Sequence, residues 1–201
     1  MRLTQSGTMR QRPGARPLPF TAVEEIAVSD VEFRWDATFH HFPLVSLEIV
    51  DRYESGQGRL DGRLGGVLPV LSARGPDLDA GETMRYLSEL PWVPHALLAN
   101  RHLVWRQVSQ RQVEVSTAVR AGVVAVRFEF DAAGDIVGAR ADARPRKIGR
   151  FNVPTPWSGV FAAQHQIGRV RIPTRAEVRW ELPEGPFVYW RGEITGIELL
   201  Y

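Results

Sequence analysis

Residues 77–98, DLDAGETMRYLSELPWVPHALL, gather two glutamates, an arginine, a tyrosine, a tryptophan and a histidine into one stretch. Glu82 and Glu89 are the residue types of a carboxylate acid–base pair. On a helix, however, seven positions put them about 10 Å apart along the axis. Arg85 between them keeps both charged, which makes either a poor general acid. The pattern therefore favours a solvated, salt-bridged helix face, with substrate binding by Glu82, Arg85 and Glu89 as the alternative.

Asp51 is the second candidate. In VSLEIVDRY it shares strand parity with Val45, Leu47, Ile49 and Tyr53, a face that otherwise reads as buried. A carboxylate there needs a partner or a wet cavity, unless it lies at the strand end beside the turn. Six tryptophans, at 35, 92, 105, 157, 180 and 190, either fill a core or line an apolar pocket between sheet and helix. His40 and His41 are adjacent on a strand and point to opposite faces, while His95, His102 and His165 are scattered, so no metal-ligand spacing is present. GQGRLDG at 56–62 misses the dinucleotide fingerprint by one position and sits between strands, so it reads as a glycine-rich turn. No nucleophile-elbow, zinc-protease or P-loop motif occurs, and no catalytic residue and no cofactor are assigned.

The elements that position these residues are mainly strands. VEFRWDATF alternates Val31, Phe33, Trp35, Ala37 and Phe39 against Glu32, Arg34, Asp36 and Thr38, and VRIPTRAEVRWEL alternates from Val170 to Leu182 in the same way. Less regular runs cover 44–53, 58–71, 102–108, 112–119, 122–131, 135–145 and 186–195, separated by turns such as ESGQG, DAAGD and LPEGP. Residues 147–168 lack clean periodicity and contain prolines, so they read as a loop with a short strand near Val160 and Phe161. The helix is expected to start at Asp79 as N-cap with Glu82 closing a capping box, and to end at Pro91 and Pro94. Ala80, Met84, Leu87 and Leu90 share its apolar face, which is expected to meet the sheet; Glu82, Arg85, Tyr86 and Glu89 share the other.

With 201 residues and 44% apolar composition, the chain is expected to form a single domain, 1–201. The fold class is α+β: a large curved antiparallel sheet of nine to eleven strands, a half-barrel or open barrel, with one main amphipathic helix across its concave face or mouth. The chain has no cysteine, which excludes disulfides, thiolate metal sites and cysteine nucleophiles. No apolar run is long enough for a transmembrane segment, and the start MRLTQSGTMRQRPGARP is basic without a hydrophobic stretch, so a cytoplasmic location is expected, an absent upstream leader aside. Net charge is +2, and Lys147 is the only lysine among 25 basic residues. That arginine bias comes with no basic block, so no nucleic-acid partner is expected.

A family resemblance adds to this reading. DxGExMRYLSExPWxPHALL, then FxFDxxGxI, PWSGxF, GxVRIPTRAEVxWEL and FxYWRGEI, resembles an uncharacterised bacterial family, a domain of unknown function, from QSGTMR to GEITGIE. The resemblance marks Arg85, Tyr86, Glu89, Trp92, Pro94 and Leu97 as its most recognisable segment, and Pro156, Trp157 and Gly159 as its second. It implies an aromatic and alanine followed by glutamine near Phe20, where FTAVEE carries Glu24 and Glu25 instead. In general shape the expected fold is similar to periplasmic lipoprotein carriers, which hold acyl chains.

The function expected is non-enzymatic binding or carriage of an apolar or amphipathic small molecule, with Asp51, Arg85, Tyr86, Glu89, Trp92, Trp105, Trp157 and Trp180 as candidate ligand-binding residues. A hydrolase or isomerase using Glu89 or Asp51 with Arg85 is the alternative. A structural or interaction module, using the arginine-lined strand at Arg171, Arg175 and Arg179, is the third reading.

Overall fold

The computed structural model describes residues 1–42, 45–120 and 122–200, with the side chains of residues 41 and 42 outside that description, so the paired-histidine reading at His41 falls outside it too. The strands are β1 (Arg2–Met9), β2 (Leu18–Ile26), β3 (Phe33–Phe42), β4 (Val45–Glu54), β5 (Gln57–Leu64), β6 (Leu68–Ala73), β7 (Val104–Ser109), β8 (Gln112–Val119), β9 (Gly122–Phe130), β10 (Ile136–Ile148), β11 (Phe151–Ile167), β12 (Val170–Leu182) and β13 (Gly185–Glu198). Between β6 and β7 come helix α1 (Pro76–Glu89), a 3-10 turn (Leu90–Trp92) and the short helix α2 (Pro94–Ala99). All thirteen strands form one curved, unclosed antiparallel sheet in the order β6-β5-β4-β3-β2-β1-β13-β12-β11-β10-β9-β8-β7. Among the described residues no helix is long and apolar enough to cross a membrane.

Thirteen strands exceed the nine to eleven expected, for identifiable reasons. β1 and β2 lie in a polar N-terminal region whose alternation is easily overlooked. The glycine pair at Gly65 and Gly66, both at positive φ, splits 58–71 into two strands. The segment read as a loop is the longest strand, β11. Its Pro154 and Pro156 are tolerated because the pairing with β12 begins only at Trp157, leaving that edge of the proline segment without a ladder to donate to.

Alternation on β3 and β12 follows the sequence pattern: Phe33, Trp35, Ala37 and Phe39 are buried, as are Ile172 and Ala176. The core lies between the concave face of the sheet and the segment 76–99, where Tyr86, Leu87, Leu90, Val93 and Ala96 are fully enclosed. α1 packs on β4 and β5 from one side and on β8, β9 and β10 from the other. It starts earlier than the capping box predicts: the N-cap is Gly75, and Asp79 is turned aside to accept the Gly58 amide at 2.7 Å.

At the β1–β13 seam Gly7 faces Gly192. The space above Gly192 is taken by the Trp190 indole, and a Cβ on Gly7 would strike the Arg191 carbonyl oxygen and come within 2.9 Å of the Phe20 ring. Gly7→Ala is expected to cost about 1–3 kcal/mol through overpacking. Urea unfolding measures it, and an unchanged midpoint would mean that the seam opens freely.

Candidate functional site

Arg85 is the centre of the site. From the middle of α1 its guanidinium donates to three carboxylates on three elements: Nη2 to Glu24 Oε1 of β2 at 2.7 Å, Nη1 to Asp51 Oδ2 of β4 at 2.7 Å, and Nε to Glu89 Oε1 one helical turn on at 2.8 Å. The strands bring their two carboxylates together by register, because Trp35 of β3 pairs with Glu24 on one side and Asp51 on the other. The ring of Phe33 lies 4.7 Å and that of Trp35 4.9 Å from the guanidinium carbon, an arrangement that stabilises the cation through the ring faces. A second layer fixes Glu24: Trp35 Nε1 donates to Gln5 Oε1 at 2.9 Å, and Gln5 Nε2 donates to Glu24 Oε2 at 2.5 Å.

The helix is enclosed on both sides: Leu87 and Leu90 of the apolar face are buried as expected, and the face expected to be polar is buried with them. Glu82 and Glu89 are buried, whereas Ala80 and Met84 are only half-buried. The polar face of α1 meets the sheet because the sheet supplies its own polar partners, a condition no local pattern encodes.

Beside this network lies a half-open cavity of about 150 Å³. Its aromatic wall is made by Trp35, Trp92, Trp157, Phe161, Tyr189 and Trp190, and its polar end by Asp51, Glu82, Arg85, Glu89 and Arg144. Trp92 meets Phe161 edge to face at 6.0 Å and Trp190 at 6.2 Å, Trp157 Nε1 donates to the Tyr189 hydroxyl at 2.9 Å, and Arg144 stands 5.1 Å above the Trp157 ring. Two β-bulges shape it. One between Ala141 and Arg144 reverses strand parity and turns Arg144 to the inner face; one between Val178 and Arg179 leaves Tyr189 as the extra residue opposite them.

Burial sets the protonation of this group. It raises the Glu24 carboxyl well above its ordinary range, reinforced by Glu89 and opposed by Arg85. It also raises Asp51, against the pull of Arg85. Glu82 is pushed up to about 8 by burial and by the neighbouring Asp51 charge. Burial lowers the Arg85 pKa, but Glu89, Glu24, Asp51 and Glu82 outweigh it and hold the guanidinium charged.

Of the candidate residues, Asp51, Arg85, Glu89, Trp92 and Trp157 surround this one cavity. Tyr86 does not: its hydroxyl donates to the Ala27 carbonyl at 3.1 Å and accepts from Asn100 Nδ2 at 2.8 Å, a structural bond pair deep under the helix. Trp180 stacks on Tyr189 outside the lining. Trp105 sits on edge strand β7, 39% exposed and far from this constellation in the sheet order. Arg171, Arg175 and Arg179 are each paired, with Asp135, Glu193 and Glu181 respectively.

Sequence reasoning missed Glu24, Gln5, Glu82 as a buried acid, and Arg144. Glu24 was signalled by FTAVEEI, where it shares parity with Phe20, Ala22 and Ile26, and Gln5 shares parity with Leu3. Arg144 carried one local sign, the Pro145 that follows it, a residue that strands admit mainly at edges and bulges.

No curated protein matches the chain. Among solved structures, the chain is similar to a domain from Vibrio parahaemolyticus described as a proposed outer membrane lipoprotein-sorting protein, at 9% identity and a TM-score of 0.47, covering 97% of this chain and 83% of that one. The profile of a family of unknown function, DUF6544, matches residues 1–192, nearly the whole curved sheet together with the helical segment that carries Arg85, and the chain belongs to that family.

Proposed function

We propose that the protein binds a small amphipathic molecule in the cavity between α1 and the sheet, its apolar part against the indoles of Trp35, Trp92, Trp157 and Trp190 and its polar end against Asp51, Glu82 and Glu89. One observation carries this reading. Among the described residues five buried side-chain atoms lack a hydrogen-bond partner, and four of them, Asp51 Oδ1, Glu82 Oε2, Glu89 Oε2 and Trp92 Nε1, belong to residues lining this cavity. Such atoms each cost about 1–3 kcal/mol when left unsatisfied, so their clustering favours a site that a ligand completes. A cavity of about 150 Å³ accommodates a group of benzene size, so the head of a longer molecule fits inside while an acyl chain would extend through the open side.

A screen of small amphiphiles by thermal shift and intrinsic tryptophan fluorescence tests this reading. Hits are expected to lose at least about tenfold in affinity in Val178→Phe, which fills the cavity with ring volume while keeping the strand apolar. Absence of any hit, or hits indifferent to the filling, would overturn it.

A second reading, a hydrolase or isomerase, draws on the neighbouring carboxyls of Asp51 and Glu82, of which Glu82 keeps its proton near neutral pH and is suited to act as an acid. It requires a turnover that Asp51→Asn and Glu82→Gln abolish without loss of binding.

A further inference from the structure

We infer that the ligand of this cavity is a small organic ammonium ion with an apolar substituent, a class that the unpaired carboxylate oxygens and the indole walls select together. The inference rests on the binding reading above and names its charge.

Three of the unsatisfied atoms are carboxyl oxygens, Asp51 Oδ1 from β4 and Glu82 Oε2 and Glu89 Oε2 from α1. An ionised carboxylate only accepts hydrogen bonds, so once Glu82 has given up its proton the complementary group must donate. An ammonium offers up to three donors from a single atom, which suits acceptors converging from two elements on one space. The protein's own cations do not satisfy these oxygens: Arg85 is already bonded to Glu24, Asp51 and Glu89 through their other oxygens and lies against Phe33 and Trp35.

The charge count points the same way. With the Glu82 proton displaced, three carboxylates lining the cavity, Asp51, Glu82 and Glu89, face two guanidiniums, those of Arg85 and Arg144. An anionic ligand would add to this excess, whereas a cation reduces it. The opposite wall is built from indole faces, whose negative quadrupole attracts cations, and Arg144 over Trp157 shows one of them already holding a positive group.

Proton balance completes the picture. Before binding, Glu82 holds a proton near neutral pH, opposed by Arg85 and Arg144 and favoured by Asp51 and Glu89. When an ammonium N–H takes up Glu82 Oε2, that proton leaves to solvent, so one positive charge enters as another departs and the buried group keeps its net charge. Affinity should accordingly rise with pH from about 6 to 8.5, while the amine is still charged.

The experiment is a tryptophan-fluorescence titration of the full chain with benzylamine, benzyl alcohol, benzoate and the chlorides of potassium and magnesium, joined by calorimetry in two buffers of different ionisation enthalpy at about pH 7. Benzylamine is expected to bind at least about tenfold more tightly than benzyl alcohol, with benzoate weaker than both and with release of up to one proton. Glu82→Gln should remove the proton release and reduce the preference for benzylamine over benzyl alcohol about tenfold. Equal binding of benzyl alcohol and benzylamine would overturn the ammonium assignment and leave the small-molecule reading intact. A response to the simple salts equal to that of benzylamine would replace it with an inorganic cation site, and silence from every compound would remove both readings.

Discussion

Arg85→Met is expected to unfold the protein or to lower its stability by at least about 3 kcal/mol, the usual consequence of removing one partner from a buried ion network. The reason lies in what remains. Glu24 has no exposed side-chain surface, and Asp51 and Glu89 are nearly as enclosed, so the variant leaves three carboxyl groups in a low-dielectric interior without their cation. Glu24 and Asp51, whose burial already disfavours the charged form, respond by taking up protons, which carries its own free-energy cost at neutral pH. For a chain of 201 residues, a loss of that size corresponds to a melting temperature lower by roughly 6–12 °C. Arg85→Lys should recover little, because an ammonium cannot reproduce the planar fork that reaches Glu24, Asp51 and Glu89 together or its stacking on Phe33 and Trp35. Arg85→Met/Glu24→Gln should recover part of the loss, since the amide keeps the partnership with Gln5 without a charge. A melting temperature for Arg85→Met within 2 °C of the natural protein would show that the network contributes nothing.

The second large effect concerns pH. Glu82 has an ordinary value of 4.5 in the unfolded chain and about 8 in the folded one, and Glu24 and Asp51 shift in the same direction. Below the unfolded value all three are protonated in both states and their contribution to stability is complete. As pH rises towards 8 the unfolded chain has released the Glu82 proton while the folded chain still holds it, so each step favours unfolding. The groups facing Glu82 are Asp51 from β4, Arg85 and Glu89 from its own helix, and Arg144 from β10, and their balance leaves the shift upward. The natural protein is therefore expected to be more stable at about pH 5 than at about pH 8, by roughly 2–4 kcal/mol from this group. Glu82→Gln should flatten the slope, retaining only the part due to Glu24 and Asp51, and should be the more stable protein at about pH 8. Urea midpoints measured across that range decide the matter, and parallel curves for the two proteins would refute it.

Much of the sheet was legible in the sequence because its signal is local. Phe33, Trp35, Ala37 and Phe39 announce their burial by alternation alone, and Asp51 stood out because its parity set a carboxylate among apolar neighbours. The helix position and the burial of Leu87 and Leu90 were legible, but the burial of its polar side was not. A helical wheel ranks faces by hydrophobicity against water, whereas the environment of Arg85 is made by Glu24, 61 residues away in sequence, and by the aromatic faces of Phe33 and Trp35. The loop expectation at 147–168 failed because proline was weighed without knowing that β12 is absent beside Pro154 and Pro156. Arg144 shows the limit of period-two reading itself, since a single inserted residue exchanges inside and outside for everything beyond it.

The strand order has a kinetic consequence. Each half of the chain is a meander of neighbouring hairpins, β1 to β6 and β7 to β13, and among the described residues the one ladder between them pairs β1 with β13, where the Thr195 hydroxyl donates to the Thr4 carbonyl across 191 residues. Hairpins close quickly, whereas contacts of such sequence separation form late. The cavity draws Trp35 and Asp51 from the first half and Arg144, Trp157 and Trp190 from the second. It exists only once the last ladder has zipped, which makes it among the last features of the fold to form.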